Sequence, residues 1–419
     1  MKIAVIGAGI SGLGAAYLLH TRHDVRLYEK NAYLGGHSRT VEIPQPQDDA
    51  HIPVDTGFIV FNKRNYPLLT ALFDKIGVPY VKSSMSFGVS IDGGFLEYGT
   101  ESLFNLFAQK KNLVRSAFWR MLYDILRFNR RAPRYLTGDA SLTLGEYLDS
   151  IKAGKWFRNY YLLAMGGAIW STPVSGMLDF PAKPFIRFFN NHGLLSVNNQ
   201  PQWYSVKGGS REYIARITAT FDPKTITGRG ATRVVRSPKS VTVYDSAGQA
   251  EEYDAVVFAC HADEALELLE APTAQEKKII GSFSYQKNTV VLHRDTSFMP
   301  KNKKCWSSWV YLCDGRQDGR QKIALSYWMN NLQELETQEP VIVTMNPDVM
   351  PEQDKIFDVH EFTHPVFDQL AAVAQNRIHE LQGENRTWYC GAYQRYGFHE
   401  DGLWSAVHMA EQMGVKRQW

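Results

Sequence analysis

The chain has 419 residues, 44% of them hydrophobic, which is more than a single compact core needs and implies two domains. A formal charge of +3 is too small to point to a nucleic-acid partner, and the apolar runs fall short of the roughly 20 residues that span a bilayer. Cys260, Cys305, Cys313 and Cys390 form neither a CxxC pair nor a zinc spacing, so no redox disulfide and no metal site is expected.

The first predicted element, Lys2 to Ile6, reads as a buried parallel strand. Gly7, Gly9 and Gly12 follow at the GxGxxG spacing, with Ser11 in the same loop, and a helix rich in Ala and Leu runs from Leu13 to His20. Gly7 allows the tight turn, Gly9 lets the backbone approach a pyrophosphate, and Gly12 lets the helix lie close on the sheet. The next strand, Asp24 to Tyr28, delivers Glu29 and Lys30 to the place where a carboxylate meets ribose hydroxyls. Such an acid favours an unphosphorylated ribose, so FAD or NAD over NADP. These glycines also explain a stretch that could be mistaken for a secretory signal, and with no basic n-region or cleavage site a cytoplasmic location is expected.

Asn31 to Thr40 reads NAYLGGHSRT, a glycine pair and an arginine after the ribose acid. Here the chain resembles the flavin amine oxidase superfamily, which also contains protoporphyrinogen oxidase and the phytoene desaturases. The resemblance implies FAD, with Gly35 and Gly36 giving close backbone approach to its pyrophosphate and Arg39 a fixed cation. His37 stands where many members carry arginine and would make a polar contact. Asp55-Thr56-Gly57 resembles the family's D-x-G crossing near the flavin.

Lys110 to Arg134, wound as one helix, places Val114, Ala117, Phe118, Met121, Ile125 and Phe128 on one face and Arg120, Arg127, Arg130, Arg131 and Arg134 on another. It is either a core-packed helix with a solvated basic face or a surface-seeking helix that settles on anionic phospholipid. In mid-chain, VKGGS (Val206 to Ser210) precedes a helix from Arg211 to Thr220, then strands Thr232 to Arg236 and Ser240 to Tyr244, then the apolar run Ala255 to Ala259. The resemblance makes Val234 and Val235 backbone contacts to adenine. Near the C-terminus a strand ends at Gly391, and a helix runs from Gly402 to Met413. In the family this last helix points its amino end at the flavin, so Gly402 and Leu403 are the expected flavin-edge contacts. Tyr393 stands where the family commonly has an acid.

The expected fold class is α/β: a Rossmann-like FAD-binding domain of the glutathione reductase type from residues 1–80, 196–278 and 372–419, with an α+β substrate domain from 81–195 and 279–371. Strings such as Gly167-Ala-Ile-Trp-Ser171, Asn191-His-Gly-Leu-Leu195, Trp306-Ser-Ser-Trp309 and Tyr396-Gly-Phe-His-Glu-Asp401 are similar to the bacterial FAD-binding oxidoreductases associated with cyclopropane fatty acid synthase-like genes. That points to an unsaturated or modified lipid acyl chain giving hydride to flavin N5, with His192, His399 and Glu400 as candidate proton-handling residues. No second GxGxxG is present to receive NAD(P)H, so electrons would leave to oxygen or another acceptor. Two rivals stand beside this reading. One is a flavin amine oxidase, for which Lys287 at the head of a strand from Asn288 to Arg294 is the candidate water-holding lysine and Trp170, Tyr327, Trp328 and Tyr396 the aromatic walls. The other is a non-catalytic flavin-binding scaffold. The expected partners are an apolar or lipid substrate and an anionic membrane surface at the inner face of the membrane.

Overall fold

The computed structural model describes residues 1–45, 51–138, 142–170, 174–191, 193–195, 200–221, 224–314 and 323–419. A five-stranded parallel sheet is built from β1 (Lys2–Ile6), β2 (Asp24–Tyr28), β3 (Lys224–Ile226), β4 (Ala255–Phe258) and β5 (Thr387–Tyr389), in the order β3-β2-β1-β4-β5. Strand β1 is apolar almost throughout because both sheet faces are covered, and Ile3, Ala4 and Val5 are completely buried. The chain leaves β1 to one side through a helix to β2 and returns on the other side with β4. This reversal puts a crevice at the carboxyl ends of the strands, where ligands bind in open α/β sheets.

Helices α1 (Ile10–Leu19), α3 (Ser116–Tyr135) and α5 (His399–Gln412) contribute residues to that crevice, and α2 (Pro67–Ile76) and α4 (Arg211–Thr220) pack behind them. Helices α1, α4 and α5 cover one sheet face through a core that includes Leu13, Ile217, Leu403 and Ala406. Small residues set the α1–α5 spacing: a Cβ on Gly14 would lie 2.8 Å from Leu403 Cδ1. The opposite face packs on a three-stranded antiparallel sheet, Ala231–Arg236, Val241–Asp245 and Ala250–Tyr253.

The second layer system is a seven-stranded mixed sheet, ordered Ile356–Val366, Ser284–His293, Ile342–Met345, Ile323–Trp328, Trp309–Cys313, Phe87–Ile91 and Leu96–Gly99. Its core joins α3 and the helix Ala182–Asn191 through Phe118, Met121, Phe128, Phe185 and Phe189. Asp55, 1% exposed, ties the two systems together. Its carboxylate accepts from Ser210 N (2.8 Å) and Oγ (2.7 Å) at the start of α4, from Thr40 Oγ1 (2.7 Å), and from Gln333 Nε2 (2.8 Å).

Three helix starts differ from the sequence reading. Helix α1 begins at Ile10, three residues before Leu13, with Leu13 N already bonded to the Gly9 carbonyl at 2.9 Å. Lys110–Val114 is a 3-10 turn, and α3 begins only at Ser116 because the chain is extended at Arg115; Val114, expected on the apolar face, is 87% exposed. Helix α5 begins at His399, three residues earlier than expected, because Asp401 turns back to accept the N–H groups of Phe398 (3.0 Å) and Tyr396 (3.2 Å). Among the described residues, no helix is long and apolar enough to cross a membrane.

Candidate functional site

The carboxyl ends of β1, β2, β4 and β5 open into one cavity of about 1840 Å³. That exceeds the roughly 300–1,000 Å³ of an ordinary small-molecule site and leaves room for a large cofactor and a substrate together. Gly7, Gly9, Ser11, Glu29, Lys30, Gly35, Gly36, Thr56, Gly57, Gly391 and His399 all line it, so the structure brings these expected residues to one place.

The glycines at this end divide by what surrounds them. Gly7 sits at φ +99, and a Cβ on Gly12 would lie 1.8 Å from the Gly7 carbonyl oxygen, so both are demanded by the turn and by helix packing. A Cβ on Gly9 would meet nothing within 4 Å and would project into space the protein leaves clear. Glu29, 5% exposed, accepts from Ala8 N and Asn31 N at 2.9 Å each and borders the same space. A cradle of free backbone with a buried carboxylate one strand away fits the pyrophosphate and ribose of a dinucleotide.

Other expected contacts lie elsewhere. Arg39 does not line the cavity: Asp358 captures its guanidinium through two bonds of 2.6 and 3.0 Å. Lys30 lines the cavity but is ion-paired with Glu264. Val234 is 1% exposed, pairs with Val243, and its carbonyl accepts from Glu270 N, whereas Gly230, Ala231 and Thr232 at the entrance of that strand face the cavity. Gly402 and Leu403 lie inside the α1–α5 contact, where a Cβ on Gly402 would reach within 2.8 Å of Ile10. Glu400 caps α2, accepting Leu68 N and Leu69 N at 2.9 Å each, and burial outweighs these donors to push its carboxyl up to about 7. His192 and the side chain of Trp170 lie outside what is described. Gly391 packs against the ring of Tyr393, which occupies the place of the absent acid.

Among the described residues five histidines line the cavity: His37, His261, His360, His364 and His399. His399 shares a hydrogen bond with Ser38 Oγ (2.7 Å) and stacks on Phe58 with ring centroids 3.8 Å apart; burial lowers its pKa to about 3. His37 stacks on Phe362 (4.9 Å) and meets the edge of His364 (5.0 Å), and burial together with its histidine neighbours lowers its pKa well below the ordinary value. His364, bonded to Asn288 at 2.8 Å, is lowered to about 4 for the same reasons. These rings are neutral at physiological pH and supply hydrogen bonds without fixed charge. Among the described residues they belong to no metal-ligand grouping. The sequence reading passed over His261, His360 and His364. A signal existed for two of them, since Asp358, His360, Phe362 and His364 alternate along one strand and share a face. That face meets His37 and Arg39.

Beyond the histidines the lining turns apolar, with Met85, Phe87, Leu122, Met165, Trp309 and Tyr327. Tyr396 also lines it; Trp328 instead packs edge-on to Trp306 at 5.4 Å. Lys287 is 75% exposed and paired with Glu361 at 2.9 Å, and among the described residues Lys30 is the lysine that borders the cavity.

Residues 5–76 match the NAD(P)-binding Rossmann-like domain family. The whole chain superposes on a CLA-producing fatty acid isomerase from P. acnes (TM-score 0.68, 15% identity, 98% of this chain and 97% of that one). Cyclohexylamine oxidase from Brevibacterium oxydans IH-35A gives 0.69 at 14% identity over 99% of both chains. Putrescine oxidase bound to putrescine gives 0.67 at 13% identity, over 99% of this chain and 100% of that one. The chain has the two-domain fold of amine oxidase-like flavoproteins. Among curated proteins none matches the sequence.

Proposed function

We propose that this protein is an FAD-dependent oxidoreductase whose substrate is an apolar molecule, an unsaturated or modified acyl chain. The observation that carries the reading is the continuity of the cavity: one space joins the dinucleotide cradle at Gly9 and Glu29 to an apolar chamber at Leu122 and Met165. FAD, when bound, supplies the hydride acceptor. Gly9, Gly36 and Glu29 would hold its phosphates and ribose, and the chamber aligns an apolar chain and excludes water around the reacting carbon. The fatty acid isomerase neighbour supports an acyl substrate. The two oxidase neighbours support an amine instead, but Lys287 is largely exposed, is paired with Glu361 and does not itself line the cavity.

Denaturing the purified protein and resolving the released cofactor by chromatography should give one FAD per chain. Anaerobic mixing with unsaturated fatty acids and phospholipids should bleach the flavin. Bleaching by a primary or secondary amine and by no lipid would transfer the function to amine oxidation. A chain without FAD would remove the proposal.

A further inference from the structure

Seven of the fourteen exposed large apolar side chains among the described residues fall between Leu103 and Leu126. Exposure so concentrated marks an interaction surface. Around α3, at 100° per residue, the stripes follow a fixed order. Phe118, Met121 and Phe128 are buried in the core; Leu122, Ile125 and Asn129 line the cavity; Trp119 and Tyr123 are 50% and 59% exposed; Arg127, Arg131 and Arg134 come next. Leu126 belongs to two stripes, being 61% exposed and a cavity residue at once. Leu103 does the same at 75% exposure, with Phe104 beside it at 89%. Leu103 and Leu126 therefore join the outer apolar surface to the cavity.

The charge along this segment is mostly of one sign, with Glu101 at the cavity mouth as an exposed acid just before it. Residues 103–136 contain eight Lys and Arg and one acid, Asp124. Asp124 is buried and already bonded to Arg120 (3.0 Å) and Arg127 (2.9 Å). Among the described residues no carboxylate forms an ion pair with Lys110, Lys111, Arg130, Arg131 or Arg134. A second copy of this chain docked through a two-fold axis would set basic rim against basic rim. An anionic bilayer satisfies both features, taking the apolar side chains into its acyl region and the cations at its headgroups.

We propose that the Leu103–Tyr135 shoulder docks on an anionic lipid bilayer, and that an apolar substrate passes from the bilayer into the cavity between Leu103 and Leu126. The second clause rests on the acyl-chain reading; the docking does not. The test is sedimentation of the purified holoprotein with phosphatidylcholine vesicles, with and without phosphatidylglycerol, with tryptophan quenching by brominated lipid. Anionic vesicles should bind it more strongly, and Trp119→Phe should reduce the quenching. Arg130→Glu/Arg131→Glu/Arg134→Glu and Leu103→Glu/Phe104→Glu should each weaken binding by more than about tenfold. The control pair Leu370→Glu/Val373→Glu, also exposed and on another helix, should bind as wild type. Equal binding to neutral and anionic vesicles, unaffected by charge reversal, would overturn the docking, as would a lipid-free dimer that shields Trp119. Anionic-vesicle binding by a protein whose flavin no lipid bleaches would support docking and remove the acyl-chain reading alone.

Discussion

The two ends of the cavity are built from different materials. At the cofactor end the walls are backbone at the carboxyl edge of a parallel sheet, and a side chain at Gly7, Gly12 or Gly57 would strike a main-chain atom within 3.0 Å. At the substrate end the walls are side chains gathered from strands and helices far apart in the chain, such as Phe87, Leu122, Met165 and Trp309. A backbone wall cannot change without moving the fold, whereas a side-chain wall can change its volume residue by residue. One end is suited to a constant ligand and the other to a ligand that varies within the fold.

The comparison breaks first if the turn and packing glycines of the cofactor end tolerate a methyl group. Gly12→Ala should lower stability by more than about 4 kcal/mol and yield little folded protein, because the clash is with the Gly7 carbonyl. Chemical denaturation of whatever folds would check it, and a wild-type midpoint would contradict it. The joint between the two ends should come next. Asp55→Ala strands donors from Ser210, Thr40 and Gln333 in a buried setting and should cost about 3 kcal/mol in the same assay.

Enlarging a side chain in the chamber should leave the fold and the FAD in place. Leu122→Trp is expected to raise KM for long-chain substrates roughly tenfold relative to short ones, at unchanged flavin content. Equal effects on all chain lengths would show that Leu122 does not bound the chamber. The smallest expected effect is in pH dependence. His293 and His364 at about 4 and His399 at about 3 stay neutral while an unfolded histidine takes up a proton below 6.5, so these groups withdraw stability as pH falls from 6.5. Glu400 at about 7 acts oppositely, because the native state binds its proton first as pH falls from 7 towards the ordinary 4.5. Glu400→Gln removes only the second contribution, so its denaturation midpoint should fall more steeply than wild type between pH 7 and 5. Parallel curves would contradict the assignment.

What could be read from the sequence follows the same division. Strand, glycine loop, helix and Glu29 lie within about 30 residues, and each is local enough to carry its own signal. Arg39 could not be placed by such signals, since Asp358, which captures it, lies 319 positions away. Gly402 and Leu403 were assigned to the flavin edge because the helix was started after His399-Glu-Asp401, when these residues form its first turn and Asp401 caps it. Glu400 read as a proton carrier because nothing near it in sequence reveals the amides of Leu68 and Leu69 that it holds. Of the apolar chamber the sequence marked Tyr327 and Tyr396 as aromatic walls, whereas Met85, Leu122 and Met165 are unremarkable one by one and become a wall only through tertiary packing.

The most direct test of a backbone-built cofactor cradle is the FAD content of Gly9→Val. Gly9 has φ −70 and ψ −176, an extended conformation open to any residue, and its missing Cβ faces clear space, so the variant should fold with the melting transition of wild type stripped of FAD. The account predicts that this folded protein carries essentially no FAD. Full occupancy in folded Gly9→Val would contradict it.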